Sequence, residues 1–144
     1  MSIFKNIFLG EGKKFKEFYA PRFLRSYWTG VRSVCKAYGM DIAIFETSNQ
    51  IHAVKEMCNN NAAKLSKWLH VGGMTLTGGS ATDWYWVTTG EKVAYTMTWG
   101  FTEPNNMNGD EQCLSLEKFN YGYDFNDIDC YGRNQNQFIC EKVY

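Results

Sequence analysis

The sequence predicts an α+β fold in a single domain. The first half carries two stretches of helical periodicity, and the second carries short β-favouring segments punctuated by glycine. Helices first and strands later argue against a wound βαβ sheet, in which the two alternate. No internal repeat, linker or low-complexity tract divides the 144 residues.

Residues 1–12 read as an N-terminal tail and 13–144 as the domain. The first 25 residues are rich in Lys and aromatics, among them Phe4, Phe8, Phe15, Phe18, Tyr19 and Phe23. They show no clean helical face. A strand around 13–19 that packs its aromatics on the core is therefore preferred to an amphipathic tail for a membrane surface or an acidic partner. Residues 26–38 read as a helix, because Trp28, Val31, Cys35 and Tyr38 repeat at i, i+3, i+7 and i+10. Gly39 sits where a left-handed C-cap would end it. A short apolar stretch, 41–45, follows. Thr47 and Gln50 have the spacing of a capping box and open a second helix bearing Ile51, Val54 and Cys58. The Asn59-Asn60-Asn61 run weakens its end. Strands are expected at 68–71, 84–87, 113–116 and 138–141, with Trp84, Tyr85 and Trp86 serving the core. A polar loop spans the residues between Trp99 and Cys113.

Composition excludes several classes. With 44% apolar and 21% charged residues the chain buries a real core. Fifteen basic and fifteen acidic residues cancel, so no basic face is expected for a nucleic acid. No apolar run approaches the roughly 20 residues of a membrane span. The start lacks the apolar centre of a signal peptide, which fits either a cytosolic protein or one whose leader is replaced by a starting Met. Five cysteines cannot all pair within one chain.

The stretch 99–130 carries the chemistry. Glu103, Asn105, Glu111, Asn126 and Asp127 put three carboxylates and two amides on two loop segments. Hard cations such as Ca²⁺ take about 6–8 oxygen ligands, so this set nearly fills such a shell. Zinc is not expected, because the two histidines lie far from the loop and from each other. Pro104 allows a cis bond that turns Glu103 and Asn105 to one side. A solvated polar turn is the other reading of the same residues.

Taken in order, the motifs resemble a C-type lectin-like domain. They are Cys35, the Trp-Leu-His-Val-Gly-Gly stretch at 68–73 (a departure from Trp-Ile-Gly-Leu), Trp99, Glu-Pro-Asn at 103–105 and Gly-Asp-Glu-Gln-Cys at 109–113. Phe-Asn-Asp at 125–127, Cys130 and Phe-Ile-Cys-Glu at 138–141 complete the set. The resemblance extends over 13–142, and the style is similar to secreted invertebrate lectins. It implies two helices with short antiparallel sheets and a long calcium-binding loop. It also implies Cys35–Cys140 and Cys113–Cys130 disulfides, hence an oxidising, secreted setting. The family's principal calcium site carries over to Glu103, Asn105, Glu111, Asn126 and Asp127. One Ca²⁺ is expected, because the auxiliary positions hold neutral Asn106 and Gln112. Phe125 stands where the family usually has Trp, and 119–124 is a Tyr-rich insertion expected near the sugar site.

The implied function is calcium-dependent binding of mannose-type carbohydrates (mannose, fucose, GlcNAc, glucose) by a secreted pattern-recognition lectin of innate immunity. Glu103, Asn105, Glu111 and Asn126 would contact the sugar. The alternative is a domain that binds a protein partner, with calcium only stabilising the loop. No enzyme is expected: the Glu103/Glu111 pair is better explained as calcium ligands than as a glycosidase pair. Partners are glycans, and weak monovalent binding would call for multivalency. Cys58 is either a buried free thiol or an intermolecular disulfide forming a dimer. His52 and His70 are read as structural. No Asn-x-Ser/Thr sequon is present.

Overall fold

Both helices stand where the periodicity places them. The computed structural model describes residues 3–8, 15–78, 81–93, 97–131 and 135–144. Helix α1 (Trp28–Ala37) buries Val31 and Cys35. Tyr38 is not part of its buried face: it caps the helix and is 55% exposed. Gly39 takes φ +76°, and Met40 N–H returns to the Cys35 carbonyl, so the expected left-handed ending is present. Helix α2 (Ser48–Asn60) begins at Thr47, whose side chain accepts from Gln50 N–H. The capping box is only half made. Gln50 Oε1 accepts from Glu46 N–H and from Lys16 Nζ, each at 3.0 Å. The buried ammonium competes for that oxygen and diverts it from the cap.

The strands are, in chain order, β1 (Ile3–Phe8), β2 (Phe15–Tyr19), β3 (Asp41–Ile42), β4 (Trp68–Met74), β5 (Tyr85–Trp86), β6 (Glu111–Phe119), β7 (Gly122–Asp129), β8 (Gln137–Phe138) and β9 (Cys140–Val143). One sheet has the order β1-β2-β9-β3. The other has β5-β4-β6-β7, with β8 added parallel to β4. Part of the segment expected as a tail, 1–12, is thus β1, antiparallel to β2 from Ile3↔Tyr19 to Phe8↔Phe15. Residues 1, 2 and 9–12 lie outside the described residues, as do 13 and 14 of the expected first strand. No described helix is long and apolar enough to cross a membrane.

All four strands expected in the second half differ in extent: 68–71 continues to Met74 as β4, and 84–87 shortens to Tyr85–Trp86 as β5. The one at 113–116 runs over nine residues as β6. Glu117 and Lys118 hide that extension in the sequence, because neither favours a strand by itself. The one at 138–141 is split at Ile139, whose N–H donates to the His70 carbonyl and whose carbonyl accepts from Ala43 N–H. Ile139 therefore joins the two sheets.

Aromatic contacts fill the main core. Phe45 packs against Phe18 at 5.3 Å, Trp86 at 5.7 Å and Phe125 at 6.0 Å between ring centroids. Phe125 is fully buried, so it serves as the apolar anchor expected of it. Trp84 and Trp86 are each 1% exposed and belong to this core. Lys16 is also fully buried and lies 3.0 Å from Glu141 and 3.5 Å from Glu46. Disulfides join Cys35 to Cys140 and Cys113 to Cys130. Cys58 is a free thiol with 0% exposure inside the main core. That placement puts it out of reach of a second chain, against the reading of an intermolecular disulfide.

The core also sets where the polar loop leaves the sheet. Trp99 packs on Trp84 at 5.1 Å, and Gly100 N–H donates to the Phe125 carbonyl. At Gly100 a Cβ would meet the Phe119 ring at 2.1 Å, so a larger residue requires that ring to move.

Candidate functional site

The loop from Thr102 to Glu111 is shaped by its own polar side chains. Thr102, Asn106 and Asn108 have positive φ (65°, 47° and 62°), a conformation that asparagine tolerates better than most residues. The Glu103–Pro104 bond is cis. Asp127, fully buried on β7, accepts from Asn105 N–H at 3.2 Å and Asn106 N–H at 2.6 Å. Met107 N–H donates to Glu111 Oε1 at 2.8 Å and to Asn105 Oδ1 at 3.2 Å. Asn106 Oδ1 accepts from Glu111 N–H at 3.0 Å. That bond explains an asparagine at 106 without any metal.

Four of the five expected ligands line one cavity of about 330 Å³: Glu103, Asn105, Glu111 and Asn126. Asp127 lies beneath them, held to the loop through the amides of Asn105 and Asn106. Asn126 Nδ2 donates to Glu117 Oε1 at 2.8 Å. An ionised carboxylate only accepts, so this bond fixes which way the amide points. Asn126 Oδ1 is then left buried without a partner, and Glu103 Oε1 is in the same state. Glu117 was not among the residues singled out in the sequence. It also accepts from Trp68 Nε1 at 2.7 Å, which makes it the brace for Asn126. Its signal was an acidic residue alternating with apolar ones on a strand, readable only once that strand's length is known.

Charge is crowded here. Glu103 is pushed up to about 8, first by burial, then by its hydrogen bond with Asp127 and that residue's charge, and then by Glu117 and Glu111. Two orphaned oxygens among repelling carboxylates suit a hard cation, which prefers oxygen donors throughout. Among the described residues, no three His, Cys, Asp or Glu side chains are already grouped as a metal cage. Asp127 and Glu111 instead accept hydrogen bonds from loop amides.

The remaining expectations resolve simply. His52 is exposed and pairs with Glu56 at 3.5 Å. His70 is buried, and desolvation lowers it to about 4, so it is neutral. Neither reaches the cavity. The insertion 119–124 comprises the end of β6, the turn at 120–121 and the start of β7. Its Phe119 and Tyr121 rings stack at 5.6 Å, and Tyr121 Oη accepts from Phe101 N–H at 3.2 Å. It supports the loop two residues before Glu103 and does not line the cavity.

The sequence pattern of the lectin C-type domain family matches residues 25–142, and the chain belongs to that family. Perlucin of Haliotis laevigata is 23% identical over 119 residues, covering 83% of this chain and 72% of perlucin. Solved structures share the fold at low identity. The C-type lectin domain of murine dendritic cell inhibitory receptor 2, in complex with N-glycan, superposes with a TM-score of 0.70 at 14% identity and 94% coverage of both chains. The C-type lectin CEL-I from Cucumaria echinata gives 0.68 at 18%, again with 94% of each chain.

Proposed function

We propose that the protein is a secreted lectin that binds mannose-type carbohydrates (mannose, fucose, GlcNAc or glucose) through one Ca²⁺, as a pattern-recognition protein of innate immunity. The observation that carries this reading is the pair of buried, unpartnered oxygens, Glu103 Oε1 and Asn126 Oδ1, in the cavity entered by the Glu-Pro-Asn motif. Glu103, Asn105, Glu111, Asn126 and Asp127 would hold the ion. Once bound, calcium supplies open coordination positions for two neighbouring sugar hydroxyls. The carboxylates of Glu103 and Glu111 would accept from those hydroxyls, and the amides of Asn105 and Asn126 would donate to them. Asn126 Nδ2 has a second hydrogen for this after donating to Glu117. Two disulfides suit an oxidising compartment. The glycan bound to the murine neighbour supports the same ligand class.

The test is retention on immobilised mannose in calcium and release by EDTA. Retention that EDTA leaves intact overturns the reading. Exchanging the polar order with Glu103→Gln and Asn105→Asp should move preference towards galactose. Unchanged selectivity in competition assays would mean that the pair does not read hydroxyls.

A further inference from the structure

The cavity is larger than a cation and two hydroxyls require. Its volume of about 330 Å³ lies in the range of small-molecule sites, roughly 300–1,000 Å³. One water-sized group occupies only about 30 Å³. Beyond the proposed calcium ligands, the cavity continues along β6 and β7 to the start of β4. There it is lined by Lys67, Trp68, Glu117 and Asn136, whereas Ile128 lies at the opposite end of β7, across from Cys113.

This inner half has a defined polarity. Asn136 is only 6% exposed, and its Nδ2 is a buried donor without a partner. Its backbone is pinned by reciprocal bonds with Ser26, each 2.9 Å, so the side chain is carried at a fixed point. Trp68 Nε1 is already committed to Glu117. The Trp68 ring therefore offers apolar surface beside the Asn136 donor, with Lys67 Nζ 4.8 Å from the ring centroid. The carboxylates of Glu103, Glu111, Glu117 and Asp129 outnumber the single ammonium of Lys67 in the lining and make the cavity unfavourable to anionic groups. A ligand ammonium would fit the carboxylates but would face Lys67 and leave Asn136 Nδ2 opposite another donor.

We propose that the inner half is a subsite for the acetamido group of a 2-acetamido sugar, with Asn136 as its specificity-determining residue. The acetyl oxygen accepts from Asn136 Nδ2, and the methyl group rests against Trp68. A plain hexose has no group that supplies both. This rests on the sugar-binding reading above and narrows it to the N-acetylated members of that ligand class.

Competition for immobilised mannose in calcium provides the test, using methyl glycosides of N-acetylglucosamine, glucose and glucosamine. The N-acetylated sugar should compete about tenfold better than glucose, the worth of one well-made buried hydrogen bond. In Asn136→Asp, which loses the donor and keeps the shape, that ratio should fall towards one. Equal competition by glucose and N-acetylglucosamine in the unaltered protein overturns the proposal, without any variant having to fold. Stronger competition by glucosamine overturns it as well, as does a ratio that survives Asn136→Asp in a variant of unchanged circular dichroism. Failure to be retained on mannose at all would instead remove the lectin reading, and the subsite with it.

Discussion

Asn126 shows how one side chain acquires its role from a neighbour. Its oxygen is available in the cavity because Glu117 holds its nitrogen. Removing that brace in Glu117→Ala leaves Trp68 Nε1 and the Asn126 amide unpaired, and the amide is then free to turn. Calcium affinity should weaken about tenfold or more, equivalent to roughly 1.4 kcal/mol. Isothermal titration with Ca²⁺ measures this, and an unchanged affinity would show that Glu117 does not position Asn126. His70 poses a different question at the same scale. Its folded form stays neutral down to about pH 4, against an ordinary value of 6.5. Between those values the unfolded chain binds a proton that the folded one does not. Stability from this group is therefore complete above pH 6.5 and is lost as pH falls towards 4. The loss reaches about 3 kcal/mol. Urea midpoints at pH 7.5 and 4.5 should differ less for His70→Gln than for the unaltered protein, and an equal difference would assign the acid sensitivity elsewhere.

Among the elements, β2, α2 and β9 meet at one buried ammonium. Lys16 comes from β2, Glu141 from β9, and Gln50 from the first turn of α2. Lys16 also donates to the Ile44 carbonyl at 3.0 Å. Burial pushes the Glu141 carboxyl up, and Lys16 offsets only part of that rise. Losing one partner leaves the other charge buried and uncompensated, which typically costs about 3–5 kcal/mol. Lys16→Met should destabilise by about that much in urea unfolding. Lys16→Met with Glu141→Leu should recover most of the loss, and a double variant no better than the single would refute the pairing argument. The disulfides also act on elements. Cys35–Cys140 spans 105 residues and Cys113–Cys130 spans 17. Loop-closure entropy makes the first worth about 4.8 kcal/mol and the second about 3.1. Replacing Cys35 and Cys140 by Ser should thus lower the urea midpoint more than replacing Cys113 and Cys130. The reverse order would show that native packing around the bridges outweighs the entropy of the unfolded chain.

For the whole molecule, the two sheets and α2 enclose a core in which Cys58 sits at 0% exposure. Burial pushes its thiol pKa well above the ordinary range, and a thiol attacks disulfides as the thiolate. In the folded protein Cys58 should resist a disulfide reagent such as DTNB and react only once denaturant opens the core. Stoichiometric labelling of the native state would place the thiol outside that core. Any multivalency needed for tight glycan binding must then come from a contact other than Cys58.

The sequence by itself determined what short-range spacing encodes. Both helices are there because apolar side chains repeat every three to four residues. Thr47 and Gly39 mark their ends because cap chemistry is local. The four paired cysteines and the residues of the 103–127 stretch were legible as ordered motifs, and four of the five candidate ligands do share a cavity. Tertiary structure decided what depends on distant partners. Trp68 and Glu117 are 49 residues apart, and Lys16 and Gln50 are 34 apart. No periodicity links such pairs, so neither the brace on Asn126 nor the buried ammonium could be read from the chain. The pairing of β1 with β2 was hidden for the same reason, since a strand's partner lies outside its own pattern. Whether a polar atom is satisfied, orphaned or turned towards a cavity is a property of three-dimensional neighbours, and that is where the candidate site is defined.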